Sequence, residues 1–323
     1  MTVLARRFHK LSYYLESGVM ELYPGFLRRV ALPRKLESAR LPRAMPLDMD
    51  AIAQRVNYYN KLPMPVHWEA EPVDCSTRME VGTFRKTGSS VYYYDLAPLI
   101  RHFPRQFWFY FLPGDITHVP DYPALLKSRP VGDDNQHSVL LKLNSVRHYY
   151  YEKDPYAFAE KLPKLVWRGA DFKPHRQAFL AQYYNAPFCD AGSVGNKSSE
   201  FKKDFMSITE QCRYKYIMSI EGNDVATNLK WIFRSNSVCF MRKPRFETWF
   251  MEGRLQPNVH YIELKDDFSD VAEKIAFCEE NPELVQSIIR NANDYVQQFD
   301  NKKQEELISL LVLKKYFEAT RQM

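Results

Sequence analysis

Short apolar runs alternate with helix-like segments between residues 160 and 300, and this alternation limits the fold more than any other feature of the chain. Four runs have the length and composition of buried strands, namely 164–169, 214–220, 237–241 and 260–264. Helix-like segments follow Pro174 and cover 225–235 and 270–280. Strands separated by helices at this spacing predict a parallel, doubly wound α/β sheet.

The first half of the chain predicts a second unit of the same class. Residues 107–112 form a continuous apolar run closed by Pro113-Gly114, which is typical of a strand buried on both faces. We predict further strands at 90–95 and 139–143 and a helix at 48–60. The predicted domains are a basic amphipathic segment (1–45), an N-terminal α/β domain (46–158), a C-terminal α/β domain (159–300) and a C-terminal helix that packs back (301–323).

The net charge of +6 comes from the first 45 residues, which hold nine Lys or Arg and three Glu. Of the 45 basic and 39 acidic residues in the chain, 36 of each sign remain, so the body is neutral. A neutral body lacks the basic stripe of extended nucleic-acid contacts, and we expect no nucleic-acid partner. The basic segment is also rich in aromatic and aliphatic residues, as in a helix that lies on anionic lipid. An ordinary helix packed on the body explains the pattern equally well.

From the sequence we expect neither a signal peptide nor a membrane span. Arg6 and Arg7 precede a mixed polar and aromatic stretch rather than an apolar one. Nothing approaches the roughly 18 consecutive apolar residues of a span. The cysteines are scattered and never form a CxxC pair, so we expect small buried residues in a reducing cytoplasm rather than disulfides or zinc ligands. They are Cys75, Cys189, Cys212, Cys239 and Cys278.

The segment Glu221–Asp224 stands where the strand 214–220 should pass into the helix 225–235. Ligands of parallel sheets bind at such carboxyl ends. A glycine there allows close backbone approach, an Asn or Asp can cap the helix, and the free N–H groups of a first helical turn bind phosphate. Small residues leave room for a ligand, and a lysine adds positive charge. The candidates are Gly222, Asn223, Asp224, Ala226, Asn228 and Lys230. A plain capped helix of the sheet is the alternative.

Short motifs around this segment follow one another in a fixed order. They are Asp121-Tyr-Pro, Ser128-Arg-Pro, Trp167-Arg-Gly, Arg176, Tyr214-Lys-Tyr, the block Glu221–Trp231, Ser235-Asn-Ser, Glu247, Leu255-x-Pro-x-x-His260-Tyr and Asp266-Asp-Phe-Ser-Asp. In this order and spacing the chain resembles glycosyltransferase family 90. The form Asn228-Leu-Lys-Trp looks like the bacterial lipopolysaccharide branch, whereas the animal enzymes tend to have Ser and Arg where Ala226 and Asn228 stand.

The resemblance implies a GT-B fold, with two Rossmann-type units facing a cleft, and inverting transfer from a UDP-sugar without a metal or other cofactor. It implies that Asp121 is the catalytic base. It also implies donor contacts for Arg168, Gly169 and Arg176, and a ribose-binding Glu247 on a helix. The residues alone allow other interpretations: Asp121 in an ordinary proline-containing turn, Arg168 paired with an acid, and a solvated Glu247.

The sugar and its acceptor stay open at this stage. We expect transfer from UDP-glucose or UDP-galactose to a lipopolysaccharide or lipo-oligosaccharide core sugar, by a peripheral protein on the cytoplasmic face of a bacterial inner membrane. The alternatives are a protein O-glycosyltransferase and a non-enzymatic membrane-surface or RNA-binding protein. Asp115 and His118 are weaker candidates for the acceptor side. The motif Asp48-Met-Asp50 matches the metal signature of another transferase fold, but it precedes any convincing strand.

Overall fold

The computed structural model describes residues 3–37, 48–66, 77–86, 88 and 90–323, with side chains from residue 7 onward. Cys75 and the last part of the basic segment lie outside the described residues. The helices are α1 (Val3–Leu22), α2 (Gly25–Glu37), α3 (Met49–Tyr59), α4 (Ser90–Ile100), α5 (Ser145–His148), α6 (Pro174–Tyr183), α7 (Ile208–Gln211), α8 (Leu229–Ile232), α9 (Val271–Glu280), α10 (Pro282–Gln297) and α11 (Lys302–Ala319). The strands are β1 (Arg78–Glu80), β2 (Trp108–Leu112), β3 (Ala124–Leu126), β4 (Ser128–Pro130), β5 (Ser138–Leu140), β6 (Leu162–Gly169), β7 (Cys189–Ser193), β8 (Tyr214–Met218), β9 (Val238–Arg242), β10 (Phe246–Thr248) and β11 (Ile262–Leu264).

The chain divides into two compact units that are each discontinuous in sequence. The C-terminal unit contains Arg147–Pro244 and Arg254–Gln298, together with Met1–Phe8. The N-terminal unit contains His9–Val146, Arg245–Gly253 and Phe299–Met323.

The C-terminal unit is built on a five-stranded parallel sheet. Its strand order is β11-β9-β8-β6-β7, and every neighbouring pair is parallel. Counted along the chain, this is the order 2-1-3-4-5, in which the direction of winding reverses between the first and third strands. The reversal therefore lies between β6 and β8. The core around the sheet is apolar and includes Leu165, Phe179, Tyr216, Phe240, Ile262 and Ile288.

The N-terminal unit has a mixed sheet of order β1-β2-β3-β5, in which β1 is antiparallel and the other pairs are parallel. A separate antiparallel pair joins β10 to β4. The helix α11 supplies much of the core, and Leu310, Leu313 and Phe317 are fully buried. The fold is therefore mixed α/β with parallel sheets, as the sequence predicts.

Most of the predicted elements are confirmed, including the four strands predicted in the 160–300 region and the helices that begin at Pro174 and cover 270–280. The predicted strand 90–95 is wrong, because this segment is the start of α4. The predicted helix 225–235 is also wrong over most of its length, since only Leu229–Ile232 is helical. The four described cysteines are buried and free, as expected.

Candidate active site

Arg176 joins the carboxyl ends of β6 and β8 at the point where the sheet reverses its winding. It lies in the first turn of α6, which begins at Pro174. Its guanidinium donates to three carbonyl oxygens: Ala170 just after β6 (Nη1, 2.9 Å), Ile220 (Nη2, 2.8 Å) and Glu221 (Nε, 3.0 Å) after β8. Ligands of open parallel sheets bind at this type of edge. The sequence motifs containing Arg176 and Glu221 therefore meet at the expected place.

The Arg176 charge is held by carbonyl oxygens rather than by a carboxylate. Burial lowers the pKa of Arg176, and the Glu221 carboxylate acts in the opposite direction. The guanidinium stays protonated all the same, because its reference pKa is far above neutrality. The Glu221 carboxylate makes its ion pair with Arg242. Arg176 thus brings a half-buried positive charge to the strand edge.

Two residues at this edge were not among the sequence candidates. Arg242, the last residue of β9, pairs with Glu221 and donates to the carbonyl oxygen of Asp266 at 2.9 Å. The His175 ring nitrogen Nε2 lies 2.9 Å from the Glu221 carbonyl oxygen. Basic residues at a strand end and at a helix start are the sequence signal that could have identified both.

Gly222 has no internal structural reason to be a glycine. A Cβ atom there would lie 3.6 Å from the nearest atom, Nη2 of Arg176, which is ordinary contact. Its φ angle is outside the left-handed region as well. There is room for a Cβ atom beside Gly222, and the residue is half-buried.

The segment after Gly222 is a loop, which corrects the helix that we expected to begin at Glu221–Asp224. The helix α8 starts only at Leu229 and has four residues, too few to present the N-terminal phosphate site that we predicted. The Asn228 side chain donates to the Met218 carbonyl oxygen at 2.9 Å and accepts from Ser219 at 3.1 Å. These bonds fold the loop back onto the end of β8.

The other candidates of this loop differ in exposure. Asn223 is exposed, whereas Asp224 and Ala226 are buried. An Asp224 carboxylate oxygen accepts from the Val225 N–H at 2.6 Å, so it does not cap the expected helix. Lys230, which we expected to add positive charge near the phosphates, is fully buried on α8.

Arg168 and Gly169 close β6, but their environments differ. Arg168 donates to the Asp190 carboxylate at 2.9 Å and to the Asp190 carbonyl oxygen at 2.7 Å. Asp190 lies two residues before Gly192, the β7 partner of Arg168, so this side chain runs toward the amino ends of the strands. These are the contacts of an arginine paired with an acid. At Gly169 a Cβ atom would lie 2.5 Å from the Trp167 ring, and this crowding accounts for the glycine.

Asp190 is the centre of this ion-pair cluster. It also accepts from the Tyr214 hydroxyl at 2.7 Å and from Lys203 at 2.9 Å. Burial works to raise its pKa, but the hydrogen bonds from Tyr214, Lys203 and Arg168 outweigh it, and the pKa of Asp190 falls to about 2. The donor role of Arg168 stays a prediction that these contacts do not favour.

Glu247 lies on the strand β10 and not on a helix, and it belongs to the N-terminal unit. Arg129 on β4 donates to its Oε1 at 2.7 Å, and the Tyr58 hydroxyl donates to its Oε2. The carboxylate is buried with both oxygens engaged. It is therefore not the solvated glutamate that we considered, and its binding of ribose stays a prediction.

Asp121 presents an exposed carboxylate from a loop whose backbone is held on both sides. The loop lies between β2 and β3. The His137 ring contacts the Pro120 carbonyl oxygen at 3.1 Å, and the Tyr316 hydroxyl donates to the Pro123 carbonyl oxygen at 3.1 Å. Within the described residues, the Asp121 carboxylate has no hydrogen-bond or ion-pair partner. A fixed backbone with a free acid is an arrangement that a general base needs.

The neighbouring candidates are placed differently. The Asp115 carboxylate pairs with Lys127 at 2.5 Å, so it is not a free acid. His118 is exposed in the same loop as Asp121. Across the described ranges, no three His, Cys, Asp or Glu side chains cluster as a metal site requires. Transfer without a metal stays a prediction.

Comparison with known proteins agrees with the motifs. The sequence profile described as "Glycosyl transferase family 90" matches residues 137–317. The chain is 44% identical to "O-glucosyltransferase LpsA" of Dichelobacter nodosus over 97% of this chain and 96% of that protein. It is 27% identical to "Protein O-glucosyltransferase 1" of Rattus norvegicus, over 42% of this chain and 37% of the relative. The human protein of the same name is 26% identical over 43% and 37%. With a profile that covers more than half of the chain and a relative that matches nearly all of it, this chain belongs to glycosyltransferase family 90.

Proposed function

We propose that this chain transfers a hexose from a UDP-sugar, with inversion, to a sugar hydroxyl of a lipopolysaccharide or lipo-oligosaccharide core. Glucose is the preferred hexose, because bacterial and animal relatives alike are named O-glucosyltransferases. A glycolipid acceptor is preferred over a protein, since the bacterial relative matches 97% of the chain and the animal protein O-glucosyltransferases match 42–43%. UDP-galactose is the second donor to test.

The observation that carries the proposal is the contact between Arg176 and the ends of β6 and β8, beside Gly222. UDP carries a diphosphate, and its charge increases as the sugar departs. A half-buried cation whose hydrogen-bond partners are carbonyls, and whose charge is not neutralised by a carboxylate in direct contact, supports stabilisation of such charge. The room for a Cβ atom beside half-buried Gly222 supports close approach of the diphosphate to this backbone. Arg176 and Gly222 are therefore the proposed centre of the donor site.

The proposed base is Asp121. Its carboxylate takes the proton of the acceptor hydroxyl while the oxygen of that hydroxyl attacks the anomeric carbon. The bond from the anomeric carbon to the β-phosphate oxygen breaks, and UDP leaves with both electrons of that bond. The new glycosidic bond forms on the opposite face of the sugar, which inverts the configuration.

A GT-B fold without a resident metal is part of the same proposal. Each unit contains a sheet with parallel strands, which supports this fold class. The predicted base belongs to the N-terminal unit and the predicted diphosphate contacts to the C-terminal unit. The family resemblance implies that one α/β unit supplies the base and the other binds the donor.

Purified chain incubated with UDP-sugars tests the proposal directly. We expect UDP release from UDP-glucose that depends on a truncated lipopolysaccharide core, with a smaller or no signal from UDP-galactose, UDP-xylose and UDP-N-acetylglucosamine. UDP should also raise the melting temperature, because a ligand that binds the native state stabilises it. The proposal is wrong if millimolar UDP leaves the melting temperature unchanged and none of these donors is turned over.

A further inference from the structure

The two N-terminal helices pack on the N-terminal unit through polar contacts along one side. From α1, the Tyr13 hydroxyl donates to Asp95 of α4 at 2.9 Å. Two turns further along, the Glu21 carboxylate accepts two bonds from Arg101 at 2.9 and 3.0 Å. From α2, the buried Arg28 donates to a carbonyl oxygen of α4 at 3.2 Å. These contacts set which face of each helix is covered.

The opposite faces carry a row of apolar side chains, which we call the outer stripe. Its members are Leu11, Leu15, Val19, Leu22, Phe26 and Val30, each between 54% and 83% exposed. On α1 they recur every three or four residues, and side chains at that spacing share one face of a helix. Tyr13 lies two residues from both Leu11 and Leu15, and Glu21 lies two residues after Val19 and one before Leu22; helix residues one or two positions apart do not face the same way. On α2 the same offset separates Val30 from the buried Arg28 and Leu32.

Exposed apolar residues that recur on one face of α1 and again on α2 differ from scattered surface leucines. Single apolar residues on a surface are normal, but a contiguous patch marks an interaction site. Loose packing of these helices does not explain why the stripe is exposed, because the side opposite the stripe is held on the N-terminal unit by the polar contacts above. The stripe therefore requires an occupant.

The charge of the segment indicates what that occupant is. Residues 1–45 hold the whole net charge of +6, and Lys10 and Arg34 are exposed beside the stripe. Two copies meeting stripe to stripe would bring two such segments together, and like charges across an interface are unfavourable. An anionic bilayer offers acyl chains to the apolar face and phosphate groups to the lysine and arginine side chains.

We propose that α1 and α2 dock this protein on an anionic membrane surface, with the outer stripe turned into the lipid. The described helices do not include one with the length and apolarity to span a bilayer. Packing on the body and contact with lipid are thus compatible, because they use opposite faces of the same helices. This proposal does not depend on the identity of the donor sugar.

Co-sedimentation of the full chain with lipid vesicles tests it. We expect binding to vesicles rich in phosphatidylglycerol, much weaker binding to pure phosphatidylcholine, and a decrease with added salt. The double variant Leu15→Glu/Val19→Glu should bind at least about tenfold more weakly, because two apolar side chains leave the lipid and two negative charges enter. Phe205→Glu changes a side chain of similar exposure (52%) in the C-terminal unit and should bind as the wild type does.

A charge variant, Lys10→Glu/Arg34→Glu, keeps the stripe and should lose mainly the preference for anionic lipid. The melting temperature of each variant shows whether it remains folded. The proposal is wrong if the wild-type chain does not bind anionic vesicles. It is also wrong if the Leu15→Glu/Val19→Glu variant is folded and binds them as the wild type does. A third contrary result would be a wild-type chain that is dimeric and binds no vesicles, and that becomes monomeric in the Leu15→Glu/Val19→Glu variant. Failure of the glycosyltransferase proposal is distinguishable, because it appears as absent UDP-sugar turnover with a truncated, soluble core oligosaccharide while vesicle binding persists.

Discussion

Arg129 and Glu247 form an ion pair inside the N-terminal unit, with 2.7 Å between Nε and Oε1 and side-chain exposures of 0% and 2%. The same guanidinium donates to the carbonyl oxygens of Tyr58 at 2.7 Å and Ser138 at 3.0 Å. The pair therefore joins α3, β4, β5 and β10, which are distant in sequence. A buried charge is tolerated only when it is paired and hydrogen-bonded, so this contact fixes how the four elements meet.

Removing one partner of this pair should destabilise the protein strongly. We expect Glu247→Gln or Arg129→Met to lower the free energy of unfolding by about 3–5 kcal/mol, because either change leaves an uncompensated buried group. Urea unfolding measures the loss. The double variant should lose less than the sum of the two single losses, since no lone charge remains. If Glu247→Gln keeps normal stability and instead raises the KM for the UDP-sugar, Glu247 serves the donor and not the fold.

Asp121→Asn should bind UDP normally and lose most of the transfer reaction. The amide cannot accept the proton of the acceptor hydroxyl, and loss of a general base costs about 10²–10⁴-fold in rate. The exposed position predicts an unchanged melting temperature. Turnover with saturating UDP-glucose and core acceptor measures the loss, and a UDP-induced shift in melting temperature reports donor binding.

The matched control for Asp121 is Asp134→Asn, which removes another exposed carboxylate of the N-terminal unit. Its activity should stay at the wild-type level. Turnover of Asp121→Asn within a few-fold of wild type would remove Asp121 as the base. Equal losses in both variants would point to a general effect of surface charge.

Arg176 should contribute to donor binding through its charge and to loop geometry through its three carbonyl contacts, and two substitutions separate these effects. Arg176→Lys keeps the charge but cannot hold Ala170, Ile220 and Glu221 together, because an ammonium lacks the planar fork. Arg176→Met removes the charge as well. We expect the KM for UDP-glucose to rise in both variants, about tenfold more in Arg176→Met than in Arg176→Lys, with steady-state kinetics as the measurement. Identical KM values in the two variants would mean that Arg176 only positions the loop and that its charge does not contribute to donor binding.

The sequence predicts the C-terminal sheet well because each of its strands is a continuous apolar run. Buried parallel strands need no partner-specific pattern, so runs such as 214–220 and 237–241 are recognisable locally. The family resemblance implies that Arg176 and the segment Glu221–Asp224 serve one donor site, and ligands of parallel sheets bind at the carboxyl ends of the strands. The Arg176 contacts themselves depend on the order of β6 and β8, which the sequence does not state.

The errors have local physical causes. Residues 90–95 are rich in tyrosine, which favours strands, and six residues are too few to show a period. Only the extension to Ile100 reveals helical spacing, with Tyr93, Leu96, Ala97 and Ile100 buried. The helix expected at 225–235 does not form over most of its length, because the Asn228 side chain is hydrogen-bonded to the end of β8. Glu247 is in a strand because it pairs with Arg129 of β4, 118 residues away in sequence.

Asp95 makes part of the stability depend on pH, because its carboxylate lies half-buried where α1 meets α4. Burial raises the pKa of Asp95 to about 6, although the Ser145 N–H and hydroxyl and the Tyr13 hydroxyl donate to it and act in the opposite direction. The folded chain therefore holds this proton between pH 3.8 and about 6, where the unfolded chain has released it. Stability from this group is present at low pH and decreases as the pH rises through that window.

Asp95→Asn isolates this effect, since the amide keeps an oxygen that accepts from Ser145 and does not titrate. We expect the free energy of unfolding of the wild type, minus that of Asp95→Asn, to be about 2 kcal/mol larger at pH 4 than at pH 7. Urea unfolding at half-unit pH intervals measures the difference and cancels the titration of all other groups. Tyr13→Phe should move the transition to higher pH, because it removes a donor that favours the charged carboxylate. A difference that is constant from pH 4 to pH 7 would mean that Asp95 is ionised in the folded chain at no cost, with the Tyr13 and Ser145 hydrogen bonds fully compensating its burial.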